Sequence, residues 1–457
     1  MLHQFHKVVA RLEFFFQNVV INQKMIQREW CRRLGCLFPA AGLLALVGTA
    51  HGQEALRLSE AGDQAAEAQH QANAATGYYN FLLGPTAWRF SSGLDCSYND
   101  NVRLEQTGAE DDFIIRPSLN TQMHWPVTLK NSLDFTMNIG YSDYVQHSDL
   151  SQVFITPGSG LSFDVYVGDF KINLHDRIGI TEYSYQNAGA SANQNLESLQ
   201  NTVGIGALWD LGNIVSSFGY DHTNYVSLSQ NQEQPDSASE NINVKSGVNI
   251  RPEWQVGLEA GGTLINSDQA SSPSVQATPD AVQWSAGVYS TVKISDYMNV
   301  EIHGGYTVYT PDNTGTGTNK VSTSDTSGFY LSASLTHRVN RWLNYSLTAG
   351  RSTDLAAAGQ AQSYYYVRLT PSCSLFRKYS ISTPVWWQEG TRIYNTTQGS
   401  SDYDQIGVGV NVNRTITQKL SAGVYYDFVQ ETSNQAGNQA NANYTDNIVG
   451  LNLTYQF

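Results

Sequence analysis

The sequence predicts an all-β chain, a transmembrane antiparallel up-and-down β-barrel of about 18 strands. Three observations carry that expectation. Polarity alternates residue by residue along many short segments. The connections between segments alternate between short and long. Aromatic residues gather at both ends of the segments.

The alternation is clearest at the end of the chain. Val449, Leu451, Leu453, Tyr455 and Phe457 interleave with Ile448, Gly450, Asn452, Thr454 and Gln456. Successive strand residues point to opposite faces, so one face is apolar and the other is small or polar. A barrel turns the apolar face to lipid and the polar face to its lumen. The same phase recurs in Phe113, Ile115, Pro117, Leu119, Thr121, Met123 and Trp125, in Ile242 to Ile250, in Trp254 to Leu264 and in Ile406 to Val412. Eighteen such segments begin near residues 88, 113, 129, 160, 170, 201, 214, 241, 254, 281, 298, 328, 343, 363, 379, 405, 420 and 447.

Eight connections are tight, among them Gly168-Asp169, Gly212-Asn213, Pro252-Glu253 and Arg377-Lys378. Nine are long, covering about 99–112, 144–159, 181–200, 225–240, 266–280, 309–327, 352–362, 391–404 and 430–446. Short periplasmic turns and longer external loops are the habit of outer-membrane barrels. Trp88, Trp125, Trp209, Trp254, Trp342 and Tyr379 lie beside the short turns. Tyr98, Tyr141, Tyr220, Trp284, Tyr306, Trp387 and Phe428 lie towards the loops. Two such rows read as aromatic girdles at two membrane interfaces. The expected location is the outer membrane of a Gram-negative bacterium.

The N-terminus reads differently. Arg28, Arg32 and Arg33 precede the apolar run Leu34 to Val47, and small residues follow near Ala50. That order predicts a signal-peptide region over 1–52, with Met25 as the true start. Residues 53–87 are expected to be a periplasmic leader, helical or disordered, and 88–457 the barrel. The chain holds 26 Lys and Arg against 40 Asp and Glu; without residues 1–52, which carry six and two, it keeps 20 against 38. Such an acidic balance argues against nucleic acid, whose phosphates need Lys and Arg. After residue 50 no apolar run reaches the about 18 residues of a membrane helix. Cys96 and Cys373 fall on lipid-facing phases and read as small apolar residues.

Leu94 to Leu119 (LDCSYNDNVRLEQTGAEDDFIIRPSL) resembles the start of the β-barrel porin type 2 family. There a strand ends in Tyr-x-Asp-Asn, a short loop follows, and an Asp precedes a strand with a Pro-x-Leu step. Here these are Tyr98, Asp100, Asn101, Asp112, Pro117 and Leu119. The resemblance implies an outer-membrane barrel, and its link to exopolysaccharide loci implies a conduit for secreted polysaccharide. The family has no agreed catalytic residues.

About 18 strands enclose a water-filled interior. The phase points Arg116, Lys171, His175, Arg177, Lys245, Lys293 and Arg368 inward, with the acids Asp134, Asp164, Glu259, Glu301 and Asp427. Lys171, Asn173, His175 and Arg177 form a polar ladder on one strand that would favour anions, or merely keep the lumen wet. Tyr166, Tyr289, Tyr330, Tyr366, Trp386 and Tyr425 also point inward, and stacked aromatic faces could guide sugar rings. The loop Thr181 to Gln200 is the expected constriction. No nucleophile motif and no Cys/His metal spacing is present, so neither an enzyme nor a cofactor is expected. The expected function is a porin-like channel, either a saccharide conduit or a general diffusion porin; a non-conducting structural or adhesive barrel is the other class. Expected partners are outer-membrane lipid, the assembly machinery that reads a terminal Phe457, and periplasmic polysaccharide-export proteins.

Overall fold

The structure, a computed structural model, describes residues 79–457 apart from 182–197, 229–235, 268–279, 312–325, 356–360, 377, 394–399 and 435–442. The expected signal-peptide region, most of the expected leader and most of the Thr181 to Gln200 loop therefore lie outside the described residues.

Eighteen antiparallel strands close on themselves. They are β1 (Thr86–Asn99), β2 (Asp112–Pro126), β3 (Ser132–Tyr144), β4 (Gln152–Val167), β5 (Phe170–Thr181), β6 (Ser198–Asp210), β7 (Ile214–Ser227), β8 (Ser237–Arg251) and β9 (Trp254–Ser267). The circuit continues with β10 (Ala281–Ser295), β11 (Met298–Pro311), β12 (Thr326–Arg338), β13 (Leu343–Leu355), β14 (Ala361–Leu375), β15 (Tyr379–Ser382 with Val385–Ile393), β16 (Ser400–Thr415), β17 (Leu420–Asn434) and β18 (Tyr444–Gln456). Each pairs with its sequence neighbours, and β1 pairs with β18 from Ser91↔Gln456 to Asn99↔Ile448. β15 is one strand in register, interrupted at Thr383-Pro384 because proline has no N–H to give the ladder.

Closure follows from the solvent. In lipid no water completes an open edge, so every backbone group needs an internal partner. The faces follow from the same alternation. Along β9 the outward Trp254, Leu258 and Leu264 are exposed, whereas inward Thr263 and Ile265 are buried. Both expected girdles sit on outward strand positions, apart from Trp342 in the turn before β13; Phe170 stacks on Trp209 in the lower one, ring centroids 5.3 Å apart. Cys96 and Cys373 are unpaired thiols on outward phases.

Two stretches depart from the expected segmentation. The fourth strand starts at Gln152 instead of near 160. Thr156-Pro157-Gly158-Ser159-Gly160 reads as a turn, but it is a bulge inside β4: the register to β5 shifts between Ile155 and Ser159, and Gly158 takes φ +91°. A bulge is one of the places where a strand accepts proline. The third strand starts at Ser132, since Leu129 is the fully exposed tip of a turn tied by Thr128 Oγ1, which accepts from the N–H groups of Lys130 and Asn131. Within the expected leader, Phe81–Leu83 forms a short strand on the foot of β1, from Phe81↔Trp88 to Leu83↔Thr86.

Leu258 lies outward, midway between the girdle residue Trp254 and the position of Gly262, which pairs with girdle Trp284. Leu258→Arg should lower folding stability in lipid vesicles by about 2–4 kcal/mol, the range for a cation at the bilayer midplane. A loss well below 1 kcal/mol would argue that this face does not meet lipid.

Candidate functional site: the lumen wall and its inward loops

Every aromatic residue expected to face inward does so, and most lie flat against the wall. Glycines on adjacent strands make the room. A Cβ at Gly247 or Gly257 would strike Tyr289, at Gly287 or Gly305 Tyr330, at Gly350 Tyr366, at Gly407 Trp386 and at Gly450 Tyr425. Each ring covers a strand that lacks a side chain there, an arrangement that restores packing lost at glycine. Tyr289 is 3% exposed and Trp386 9%. Tyr166 differs: it pairs with Lys171 near the periplasmic rim and is 44% exposed.

The inward charges are cross-linked from strand to strand. The β5 ladder meets acids from β4 on one side and, across β6, from β7 on the other. Lys171 Nζ is 3.6 Å from Asp164. Asn173 Nδ2 donates to Asp164 (2.6 Å) and to Ser162 (2.7 Å). His175 Nε2 lies 2.7 Å from Asp221 and its Nδ1 2.9 Å from Asn173 Oδ1. Arg177 faces inward opposite Gly160 and Thr202, and Arg368 opposite Thr348 and Trp386. The ladder is thus part of a mixed-sign network, not a bare cationic rail.

A second network crosses β8 to β12. His303 places Nδ1 2.7 Å from Glu259 and Nε2 2.9 Å from Glu301. Two carboxylate acceptors are satisfied together only by a ring that donates from both nitrogens. Tyr330 donates to Glu259 at 2.7 Å, Lys245 Nζ is 3.4 Å from Glu301, and Lys245 also sits 4.2 Å from the centre of the Tyr289 ring. Farther round, Tyr425 donates to Asp95 at 3.0 Å, and Arg116 Nε donates to Ser142 at 3.1 Å. Among the described residues, no three His, Cys, Asp or Glu side chains are placed to hold a metal ion.

The third part is the pair of connections after β1 and β3. Here the residues of the family resemblance come together. Tyr98 donates to Asp111 at 3.1 Å. Asp100 accepts from the backbone and side-chain N–H groups of Asn447, both at 2.7 Å. Asn101 Nδ2 donates to the carbonyls of Glu105 and Thr445, while its Oδ1 accepts from Glu105 N–H. Asp112, fully buried, accepts from the N–H groups of Phe113, Gln146 and His147 and from His147 Nδ1. The motif is therefore a clasp that seats two external loops. Arg103 bridges them, 2.8 Å from Glu110 and 2.7 Å from Asp149. Leu150 packs on Ile114 and Tyr144, with Val102 against them. Pro117 and Leu119 stand apart, on the lipid-facing phase of β2.

Sequence phase alone missed the roles of Leu104, His147 and Asp221. Asp221 was open to it, since strand parity points it inward beside His175. Leu104 and His147 belong to loops, where parity says nothing.

A closed, even-stranded antiparallel barrel with an apolar outer band and two aromatic girdles defines a porin-like β-barrel of the Gram-negative outer membrane. No family model matches the sequence, and no curated protein resembles it significantly. Among solved structures, OccAB3 of Acinetobacter baumannii aligns over 81% of this chain and 99% of its own, at 10% identity and a TM-score of 0.44. OccK2 (OpdF) of Pseudomonas aeruginosa aligns over 82% and 99%, at 7% identity and a TM-score of 0.46. OpdK of the same organism, crystallised with vanillate, aligns over 81% and 99%, at 8% identity and a TM-score of 0.44.

Two predictions follow from these contacts. Gly407→Ala should destabilise the barrel by about 1–3 kcal/mol through overpacking against Trp386, and Trp386→Ala in the same chain should recover part of that loss in a double-mutant cycle of unfolding free energies. Strict additivity would mean that ring and glycine do not touch. In the loops, Arg103 holds Asp149 below the usual carboxylate range by donating a direct hydrogen bond to its carboxylate. A depressed carboxylate stabilises above its unfolded pKa, and that contribution vanishes as pH falls through the folded value. Amide exchange in 100–111 and 145–151, corrected for the intrinsic pH effect, should therefore quicken below the ordinary carboxylate range and less so in Arg103→Ala. An equal response in both chains would remove Arg103 from the account.

Proposed function

We propose that this chain is a diffusion channel for small polar solutes. The observation that carries the reading is the inner face: polar and charged side chains around the whole circuit of an 18-stranded wall, with basic and acidic groups answering one another. A mixed-sign lining keeps a lumen wet without holding one class of ion tightly.

Conduction of a polysaccharide was the sharper expectation. It drew on the family resemblance and on the inward aromatics. Four of the six resembling residues are occupied in seating loops, so they speak to the extracellular mouth and not to a cargo. Five of the six aromatics spend a face on glycine-floored grooves of the wall. A sugar rail needs rings standing into water, and this favours the general diffusion channel. Periplasmic export partners accordingly have no separate support, whereas outer-membrane lipid and the assembly machinery remain the partners proposed for the lipid-facing wall and Phe457.

The test is purified chain in planar bilayers and in liposome-swelling assays. Stable single-channel steps are expected, with faster entry of mono- than of trisaccharides and no block by long glucans. Silence under all voltages would contradict a channel of any kind. Block by long glucans at low concentration would restore the conduit.

A further inference from the structure

Among the described residues, the first external connection departs most from a plain wall. Residues after β1 turn inward. Leu104, 8% exposed, forms one apolar cluster with Trp386, Val429 and Tyr444. Those partners belong to β15, β17 and β18, so a loop that leaves β1 reaches back over a four-strand arc of the inner face.

The turn that places Leu104 is unusual. Its φ is +54°, in the left-handed region that L side chains rarely adopt. Its N–H donates to the Asn101 carbonyl at 3.0 Å. Asn101, 2% exposed, holds the same turn through Glu105 and anchors it to Thr445 on β18. Such backbone outliers survive where surrounding contacts over-determine them, and they concentrate at clamps and switches. Arg103 and Val102 tie the other side of the turn to the loop after β3.

The contact covers acids. Asp446 pairs directly with Val429, and Asp427 and Glu431 lie two positions to either side of Val429 on the same inward face. Glu431 and Asp446 are each 1% exposed. Val429 is thus an apolar spot among three carboxylates, in one cluster with Leu104.

We propose that the loop 100–111 forms a solute-selecting constriction, and that Leu104 is a removable stopper over an acid-lined part of the wall. It rests on the channel reading above. With Leu104 withdrawn, the carboxylates face the passage and the solutes favoured are small cations. The strained turn supplies the alternative state: releasing the side chain from Val429 also releases the backbone from φ > 0.

The experiment uses the full chain in planar bilayers under a KCl gradient. Leu104→Gly removes the stopper and suits the left-handed turn; Asn101→Ala keeps the stopper and unties it. Heat-modifiable migration on gels establishes that each variant is folded. Both variants should raise single-channel conductance roughly twofold or more, as a widened constriction requires, and both should move the reversal potential towards cations. Wild-type conductance in both folded variants would overturn the stopper. A rise in conductance with an unmoved reversal potential would overturn the role given to the acids. Silence of wild type and variants alike would instead overturn the channel reading itself.

Discussion

Every feature of this molecule depends on one constraint: inside a bilayer no backbone N–H or C=O can be left without a partner. A sheet meets that constraint only by closing on itself. Closure then makes the two faces of each strand unequal, lipid outside and lumen inside. The alternation Val449, Leu451, Leu453, Tyr455 against Gly450, Asn452, Thr454 is the mark this leaves on the chain. The paired interface rows, such as Trp254 below and Trp284 above, mark the limits of the band.

The lumen obeys a second rule, one of volume. An inward ring needs floor space, and glycines on the next strand supply it. Tyr289 lies over Gly247 and Gly257, and Trp386 over Gly407. Charges obey a third. Lys245, Glu259, Glu301 and His303 come from β8, β9 and β11, far apart in sequence, yet they satisfy one another within hydrogen-bond reach. Packing and neutralisation together make the inner wall firm.

Much of this was legible before any coordinates. Strand number, direction and face follow from period-two alternation and from the rhythm of the connections, because both are imposed by the bilayer. Twelve of the thirteen aromatic girdle positions fall on the outward phases that parity assigns them; Trp342 lies in the turn before β13. The failures have local causes. Thr156-Pro157-Gly158 carries turn chemistry into a strand because a bulge uses the same residues as a turn. Leu129 looks like a strand residue because an exposed leucine at a turn tip has no periodic signature. The pairing of His175 with Asp221 was half visible, since parity gives the face but not the partner. Leu104 was invisible: its burial depends on a loop folding inward over strands more than 280 positions later in the chain, and no local pattern encodes that. The clasp residues were legible as a motif but not as contacts, because a motif names residues without naming what they touch.

The most direct test of the central claim is cysteine scanning of β9 in a background of Cys96→Ser and Cys373→Ser, with the chain folded in lipid vesicles. Positions 255, 257, 259 and 261 should react with a small, charged, membrane-impermeant thiol reagent, whereas 256, 258 and 260 should resist it and have attached fluorophores quenched by lipid-borne quenchers. Equal reactivity at both sets, or lipid quenching at the inward set, would contradict a barrel with a water-filled lumen and a lipid-facing exterior.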